Sequence, residues 1–286
     1  MPYLIPAPKT FSTTPNYSSN PFVSGLEFTA LSDTTFSIAP GAARALTSDF
    51  IIQYPSYSPN QPGFIPVDIT TVGLNGCFPN SIASVSIPSG ILILSIYLVA
   101  ASSGYQINYI STSPGIIVCT GNDFLPPGYD SYRRIGFVCI QPAKTILPWA
   151  QSGSSMDRVY RLSSQRNTLF NGSSLTYAAV DLTNNNTGPN NGIVPPKNNV
   201  EVLIETYVTT TVAGNGAFLS HVNVNGADTW IFNPVVGPKM GVPMRVMAGQ
   251  NPTTGASVIY YKVQNAGNLF SFDTSGFIDT LGNSLF

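Results

Sequence analysis

The sequence predicts an all-β protein, with two jelly-roll-like β-sandwich domains preceded by an extended N-terminal arm. Three observations predict it. Apolar stretches are short, rich in β-branched and aromatic residues, and cut by 25 Gly and 24 Pro, the residues that end strands. The segment Val200–Val212 alternates, with Val200, Val202, Ile204, Thr206 and Val208 on one face and Glu201, Leu203, Glu205 and Tyr207 on the other, the two-residue period of a half-buried strand. No heptad, internal repeat or β-helix period is visible. At 286 residues the chain can hold one large or two ordinary domains, and the reading divides it at 1–21, 22–155 and 156–286.

Residues 1–21 read as an arm. Five prolines (Pro2, Pro6, Pro8, Pro15, Pro21) space it and Ser, Thr and Asn fill the gaps, so it cannot build a core of its own. Tyr3, Leu4, Ile5 and Phe11 are its candidate anchors on a neighbour. In the first domain the expected strands are Val23–Ala30, Thr34–Ile38, Phe50–Tyr54, Val67–Val72, Ala83–Ile87, Ile91–Val99, Gln106–Ser111, Ile116–Thr120 and Ile135–Ile140, with Ala42–Leu46 the one candidate helix. Residues 55–66 contain four prolines and read as a loop. The polar segment Gln151–Met156 carries Gly153 and marks the boundary. Beyond it the expected strands are Arg158–Leu162, Leu175–Leu182, Val200–Val212, Phe218–Val224, Thr229–Asn233, Met244–Met247, Ser257–Gln264 and Leu269–Phe272. Thr183–Asn199, rich in Asn, Gly and Pro, reads as a long surface loop, and Asn265–Asn268 as a hairpin turn.

Charge narrows the function. Charged residues make up only 9% of the chain and the formal net charge is −1, against about 25% charged in typical soluble domains. Such a composition suits β-rich virion and extracellular proteins, and surfaces buried in an assembly, where every charge costs desolvation. The five Lys and seven Arg are scattered, and only Arg133 and Arg134 are adjacent. Nucleic-acid binding needs several cations on one face, so that role is rejected, and a membrane-surface role falls for the same reason. The longest apolar run, 91–101, is eleven residues, far short of the about 20 of a spanning helix, so no membrane insertion is expected. No secretion signal is visible. Cys77, Cys119 and Cys139 are odd in number and far apart, which argues against a disulfide framework and for folding in a reducing compartment.

Candidate chemistry is sparse. The single histidine, His221, sits in a strand-like run without a Gly-x-Ser-x-Gly elbow. The cysteines show no metal-ligand spacing, and no calcium-loop or nucleotide-binding motif appears. Of three glutamates, Glu27 stands alone, and Glu201 and Glu205 share a strand face about 13 Å apart, wide of the separations of roughly 5 or 6.5–9.5 Å that glycoside hydrolysis uses. The reading is therefore no catalytic residue, no metal site and no cofactor. Aromatics beside loops (Tyr54, Tyr57, Tyr129, Tyr132, Trp230) are either core and interface residues or stacking platforms for a sugar. Trp230, next to the Asn-rich loop, is the first candidate sugar contact.

The segment Leu125–Gly136, Leu-Pro-Pro-Gly-Tyr-Asp-Ser-Tyr-Arg-Arg-Ile-Gly, is a turn feeding an apolar strand. Its two arginines should point to opposite faces, at least one of them pairing with carboxylates or backbone carbonyls near the core. The segment also resembles a Leu-Pro-x-Gly-Tyr-x-x-Tyr-Arg-Arg-Ile-Gly block of tailed-bacteriophage virion structural proteins, often tail-fibre or minor structural proteins. Gly128, Tyr129, Tyr132, Arg133, Arg134, Ile135 and Gly136 match it. Ile38–Arg44 resembles that family's Ile-x-x-Gly-x-x-Arg, Gly104 and Tyr105 its Ser-x-Gly-Tyr, and Trp149–Gly153 its aromatic-x-Gln-Ser-Gly turn. Together they cover roughly residues 22–160. The resemblance implies a non-enzymatic virion protein, made and assembled in the host bacterial cytoplasm, tail-associated first and a capsid decoration or head-fibre protein second. It implies partners among other copies of itself, as a homotrimer, and other virion proteins. A carbohydrate-binding receptor module that contacts a host-surface glycan is the reading of a different class.

Overall fold

The computed structural model describes residues 23–45, 51–54, 65–87, 92–101, 112–120, 125–147, 149–153, 157–162, 170–182, 200–221, 229–232, 236–237, 240–251, 253 and 257–280. The arm anchors Tyr3, Leu4, Ile5 and Phe11, the expected strand Gln106–Ser111, Gly104, Tyr105, Tyr57 and the Asn-rich loop lie outside them. The described residues are all-β, and their one helical element is a 3-10 turn at Ile82–Ser84.

The first half contains β1 (Val23–Gly25), β2 (Phe28–Ala30), β3 (Thr35–Ile38), β4 (Gly41–Arg44), β5 (Ile51–Tyr54), β6 (Ile65–Val72), β7 (Gly76–Phe78), β8 (Leu92–Ala101), β9 (Thr112–Cys119) and β10 (Ser131–Ile140). They form a three-stranded sheet, β1-β4-β5, and a seven-stranded sheet ordered β10-β8-β9-β7-β6-β3-β2. The larger sheet is antiparallel except where β7 lies parallel to β6 and β9. β5 packs on β8 and β9, with Tyr54 Oη donating to Asn75 Oδ1 at 3.1 Å.

The second half contains β11 (Trp149–Gly153), β12 (Asp157–Leu162), β13 (Phe170–Gly172), β14 (Ala178–Asp181), β15 (Glu201–Thr209), β16 (Gly216–Ser220), β17 (Thr229–Phe232), β18 (Met240–Met247), β19 (Gly249–Gln250), β20 (Ser257–Val263) and β21 (Leu269–Thr280). One sheet is ordered β11-β12-β21-β15-β18, with β13 also on β21. The facing sheet is ordered β14-β20-β16-β17, with β19 on β20. β15 alternates as its sequence requires, with Val202, Ile204, Thr206 and Val208 buried. The same alternation on β20 and β16 sends Ile259, Tyr261, Val263, Ala217 and Leu219 inward. Burial of such side chains, at about 1.5–3 kcal/mol each, is the main force holding the sheets together.

Several elements differ from the sequence expectation. The expected helix from Ala42 gives way to a strand: 41–44 form β4, because β1 and β5 hydrogen-bond it from both sides and outweigh the helix preference of alanine, which tertiary pairing readily overrides. Val23–Ala30 is two strands, split where Gly25 and Leu26 adopt left-handed φ of 64° and 59°. Ala83–Ile87 is not a strand: the Ser81 hydroxyl accepts from Ala83 N at 3.0 Å and caps the 3-10 turn, the local competition by which serine displaces extended backbone. Trp149–Gly153 is a strand, hydrogen-bonded to β12, so it joins the sheet of the later strands. Asn265–Asn268 turns, with Asn268 N donating to Asn265 O at 3.2 Å, but makes no hairpin. β20 and β21 enter opposite sheets, because the buried Asn268 side chain accepts from Thr211 N at 3.1 Å and sets β21 beside β15.

Candidate functional site

Where the halves meet, the two arginines of the Arg-Arg block are buried inside the protein. β10 carries a bulge: Arg134 pairs with Tyr97 and Gly136 with Ile96, leaving Ile135 as the extra residue. Arg133, Arg134, Ile135 and Gly136 are all buried. Arg134 crosses to the end of β21 and grips Asp279 with both terminal nitrogens, Nη1 to Oδ2 at 2.7 Å and Nη2 to Oδ1 at 2.9 Å. Both side chains are sealed from water, at 1% and 0% exposure. The guanidinium also lies 4.3 Å from the Phe137 ring centroid. Burial acts to lower the Arg134 pKa, but Asp279 outweighs it and the net shift is upward. At Arg133 the pull of the same carboxylate is outweighed. Burial first, then the charge of Arg134, bring it down to about 10.

A third buried arginine answers from β12. Arg158 Nη1 donates to Leu26 O and Ile135 O, each at 2.8 Å, and Nη2 donates to Gly25 O at 2.6 Å. The left-handed pair Gly25–Leu26 thus ends β1 with both carbonyls on one guanidinium. For Leu26 that backbone costs about 1–2 kcal/mol, offset by charge-assisted hydrogen bonds. Arg158 also lies 5.3 Å from the Phe28 ring centroid, and Phe28 N donates to Gln151 Oε1 at 2.8 Å.

Aromatic packing seals the junction. Tyr160 stacks on Phe277 at 4.8 Å, and Phe137 meets the same ring edge-on at 6.0 Å. Two glycines leave room for Tyr160. A Cβ on Gly136 would strike the Tyr160 hydroxyl and the Phe28 ring, and one on Gly276 would strike the Tyr160 backbone carbonyl. Gly41, the glycine of the Ile38–Arg44 segment, similarly lies against the Ser24 and Leu26 backbone. Three resembling segments therefore converge on this junction, through Gly41, the Arg134–Gly136 run and Gln151. The partners Arg158, Tyr160 and Asp279 carry no sequence signal beyond being charged or aromatic residues in apolar strands.

The other residues singled out are dispersed. Gly128 is exposed at φ 87° in the turn before β10, where Tyr129 N donates to Pro126 O at 3.1 Å. Half-buried Tyr132 meets Tyr97 edge-on at 6.0 Å. His221 is exposed, as is Glu27. Glu201 lies 3.9 Å from Arg245 in a half-exposed pair, the kind that contributes little, and Glu205 is half-buried beside it on β15. Cys77 and Cys139 are buried free thiols, each pushed up to about 12 by burial. Among the described residues no group of three His, Cys, Asp or Glu is placed to hold a metal, and no helix is long and apolar enough to cross a membrane. Trp230 stands opposite Phe218 in the β16–β17 register.

No family model matches the chain, and no curated protein matches it. Among solved structures, the D431N mutant VP2 protein of infectious bursal disease virus, in derived T=1 particles, aligns over 68% of this chain and 51% of that chain at 16% identity with a TM-score of 0.19. The VP2 subviral particle of the same virus aligns over 68% and 53% at 14% identity, again with a TM-score of 0.19. The chain spans about half the length of these proteins, and a likeness at that score carries no argument about fold or function.

Proposed function

We propose that this chain is a non-enzymatic structural protein of a tailed-bacteriophage particle, carried at the tail as a fibre or fibre-anchoring component. The observation that supports it is the use made of the Arg-Arg block. Its arginines, bulge and glycine go into a dry clamp between two halves, which is what a load-transmitting part needs. A chain with only 9% charged residues fits association by area burial and edge pairing, with little dependence on salt. The arm 1–21, with Tyr3, Leu4, Ile5 and Phe11, attaches the protein to its neighbours in this reading.

Electron microscopy of purified particles labelled with antibody against this chain tests it. Label at the tail is expected. Label over the head would move the protein to capsid decoration or head fibre, and absence of label where control antibodies bind would sink the structural reading. Deleting residues 1–20 should leave a folded protein that no longer joins the particle, and normal incorporation would remove the arm from the account.

A carbohydrate-binding role is favoured by one specific observation. On the outer face of the β14-β20-β16-β17 sheet, Lys262 Nζ lies 4.3 Å from the Tyr177 ring centroid and 4.8 Å from that of Phe218. An aromatic row of this kind can stack sugar rings. Saturable quenching of tryptophan fluorescence by host-surface polysaccharide, lost in Trp230→Ala, would support that role, and no quenching would dismiss it.

A further inference from the structure

The stretch Val23–Phe28 follows the arm and lies on two sheet edges at once. β1, at its start, is an edge of the β1-β4-β5 sheet, and β2, at its end, is an edge of the seven-stranded sheet. Each is three residues long. Among the described residues each has one strand neighbour, β4 for β1 and β3 for β2. Short edge strands of this kind are where a fold opens first. Yet Val23, Leu26 and Phe28 are buried, at 0, 0 and 6% exposure, and Leu26 keeps a left-handed φ of 59°. A leucine stays in that region only where its surroundings hold it there.

Much of what holds it comes from the second half. Gly25 O accepts from Arg158 Nη2 at 2.6 Å, Leu26 O accepts from Arg158 Nη1 at 2.8 Å, and Phe28 N donates to Gln151 Oε1 at 2.8 Å. The first half contributes the bond from Ala39 N to Glu27 O, at 2.8 Å, and the register of β1 with β4 and of β2 with β3. Side chains of β11 and β12 thus stand in for the strand neighbour that β1 and β2 lack. Arg158 is itself anchored. Its Nη1 also donates at 2.8 Å to the carbonyl of Ile135, the extra residue of the β10 bulge. It stands opposite Asp279 in the β12–β21 register, and Asp279 is the carboxylate that Arg134 grips. One guanidinium therefore joins the root of the arm, the β10 bulge and the sheet of the second half.

We propose that Arg158 is a latch on the arm root: through this guanidinium the second half holds Val23–Phe28 closed, and the stretch opens as one unit when the latch is broken. Both carbonyls of the left-handed turn end on the same side chain, so its loss frees both together. The bonds lost are charge-assisted, about twice as strong as neutral ones. What remains is a three-residue edge strand beside a buried Leu26 carbonyl, which water can satisfy only if the stretch opens. The latch makes a line of attachment. Whatever holds residues 1–21 pulls on Val23, and the pull reaches the β11-β12-β21-β15-β18 sheet directly through Arg158. The inference deepens the assembly reading and rests on it only for what the arm holds.

Hydrogen-exchange mass spectrometry on the full chain tests the latch. Arg158→Met keeps an unbranched stem and removes the guanidinium. Exchange across 23–28 should rise by on the order of tenfold or more. β9 and β20, each flanked by a strand on both sides, should lose far less protection. Gln151→Ala, which removes only the Phe28 acceptor, should speed the same stretch by a smaller factor, and it serves if Arg158→Met does not fold. Exchange across 23–28 that stays native in the variants, or rises only in step with β9 and β20, would overturn the latch. An opened root should also weaken attachment, so Arg158→Met should join particles less than the native chain does. Normal incorporation of a variant whose root has opened would remove Arg158 from the line of attachment. If the chain lacking residues 1–20 joins particles normally while Arg158→Met still frees 23–28, the arm reading falls and the latch stands.

Discussion

At Asp279, removal of one carboxylate strands a guanidinium in a dry interior. Asp279→Ala should destabilise the protein by about 3–5 kcal/mol, the range for breaking a buried pair from one side. Arg134→Ala should do the same, and the Arg133/Arg134 double alanine variant at least as much. The combined exchange Arg134→Met with Asp279→Leu should cost far less than either single change, because it removes both charges and keeps the volume. Denaturant midpoints of the four proteins check this, and additive losses would refute the pairing. At Gly136 a methyl has nowhere to go, so Gly136→Ala should cost about 1–3 kcal/mol. The thiols give a pH prediction. Cys77 and Cys139 rise from 9.0 to about 12 in the folded protein, so above pH 9 the unfolded chain releases protons that the folded one keeps. Their contribution is complete below pH 9 and is lost as pH rises from 9 towards 12. At pH 8 they should stay unalkylated in the folded protein while half-buried Cys119 reacts first, as read by mass spectrometry. Of this cluster the sequence disclosed Arg133–Arg134 and their need for a partner. Asp279 lies 145 residues from Arg134, and no local pattern links two residues that only tertiary folding brings together.

At the scale of elements, strands with a strong period were legible and short ones were not. β15 announces itself by alternation and β20 by its run of β-branched and aromatic residues. β7 and β13, of three residues each, are too short to show any period, and β19 is shorter still. β4 was misread because local preference is weak beside two hydrogen-bonding neighbours. The 265–268 turn was legible as a turn, but its destination depends on Asn268 reaching Thr211, which a two-strand hairpin rule does not contain. The sheet order also ranks the strands by protection. β21 is hydrogen-bonded to β12 and β13 on one side and β15 on the other, and β15 lies between β21 and β18. Amides of β15 and β21 should exchange with solvent most slowly, by global unfolding, whereas the edge strands β18 and β2 should exchange through local opening. Hydrogen-exchange mass spectrometry resolves the order, and protection of β18 equal to that of β15 would contradict it.

The whole molecule poses the question whether two halves make two folding units. Composition and the polar break near Gly153 led the sequence reading to two sandwich domains, and the sheets do divide between β10 and β11. Apolar contact does not divide there: a single core cluster runs from Val23 through Phe137 and Tyr160 to Phe277. The Phe137–Phe277 edge contact, the Arg134–Asp279 pair and the three carbonyl bonds of Arg158 all cross it. Inter-domain contacts that permit independent motion are mostly polar and hydrated, whereas this one is dry. Separating the halves would expose stacked rings and leave the buried carbonyls of Leu26 and Ile135 and the Asp279 carboxylate without their donors, each unmade bond costing about 1–3 kcal/mol or more. Opening the junction should therefore cost as much as unfolding the weaker half, and the protein should melt in one transition. Scanning calorimetry should give one peak whose calorimetric and van't Hoff enthalpies agree. Asp279→Ala should split that peak in two, because the clamp fails while each sandwich keeps its own sheets. Two peaks in the native protein would show that the halves fold independently, and a single undivided peak in the Asp279 variant would place the coupling in the aromatic contacts rather than in the arginines.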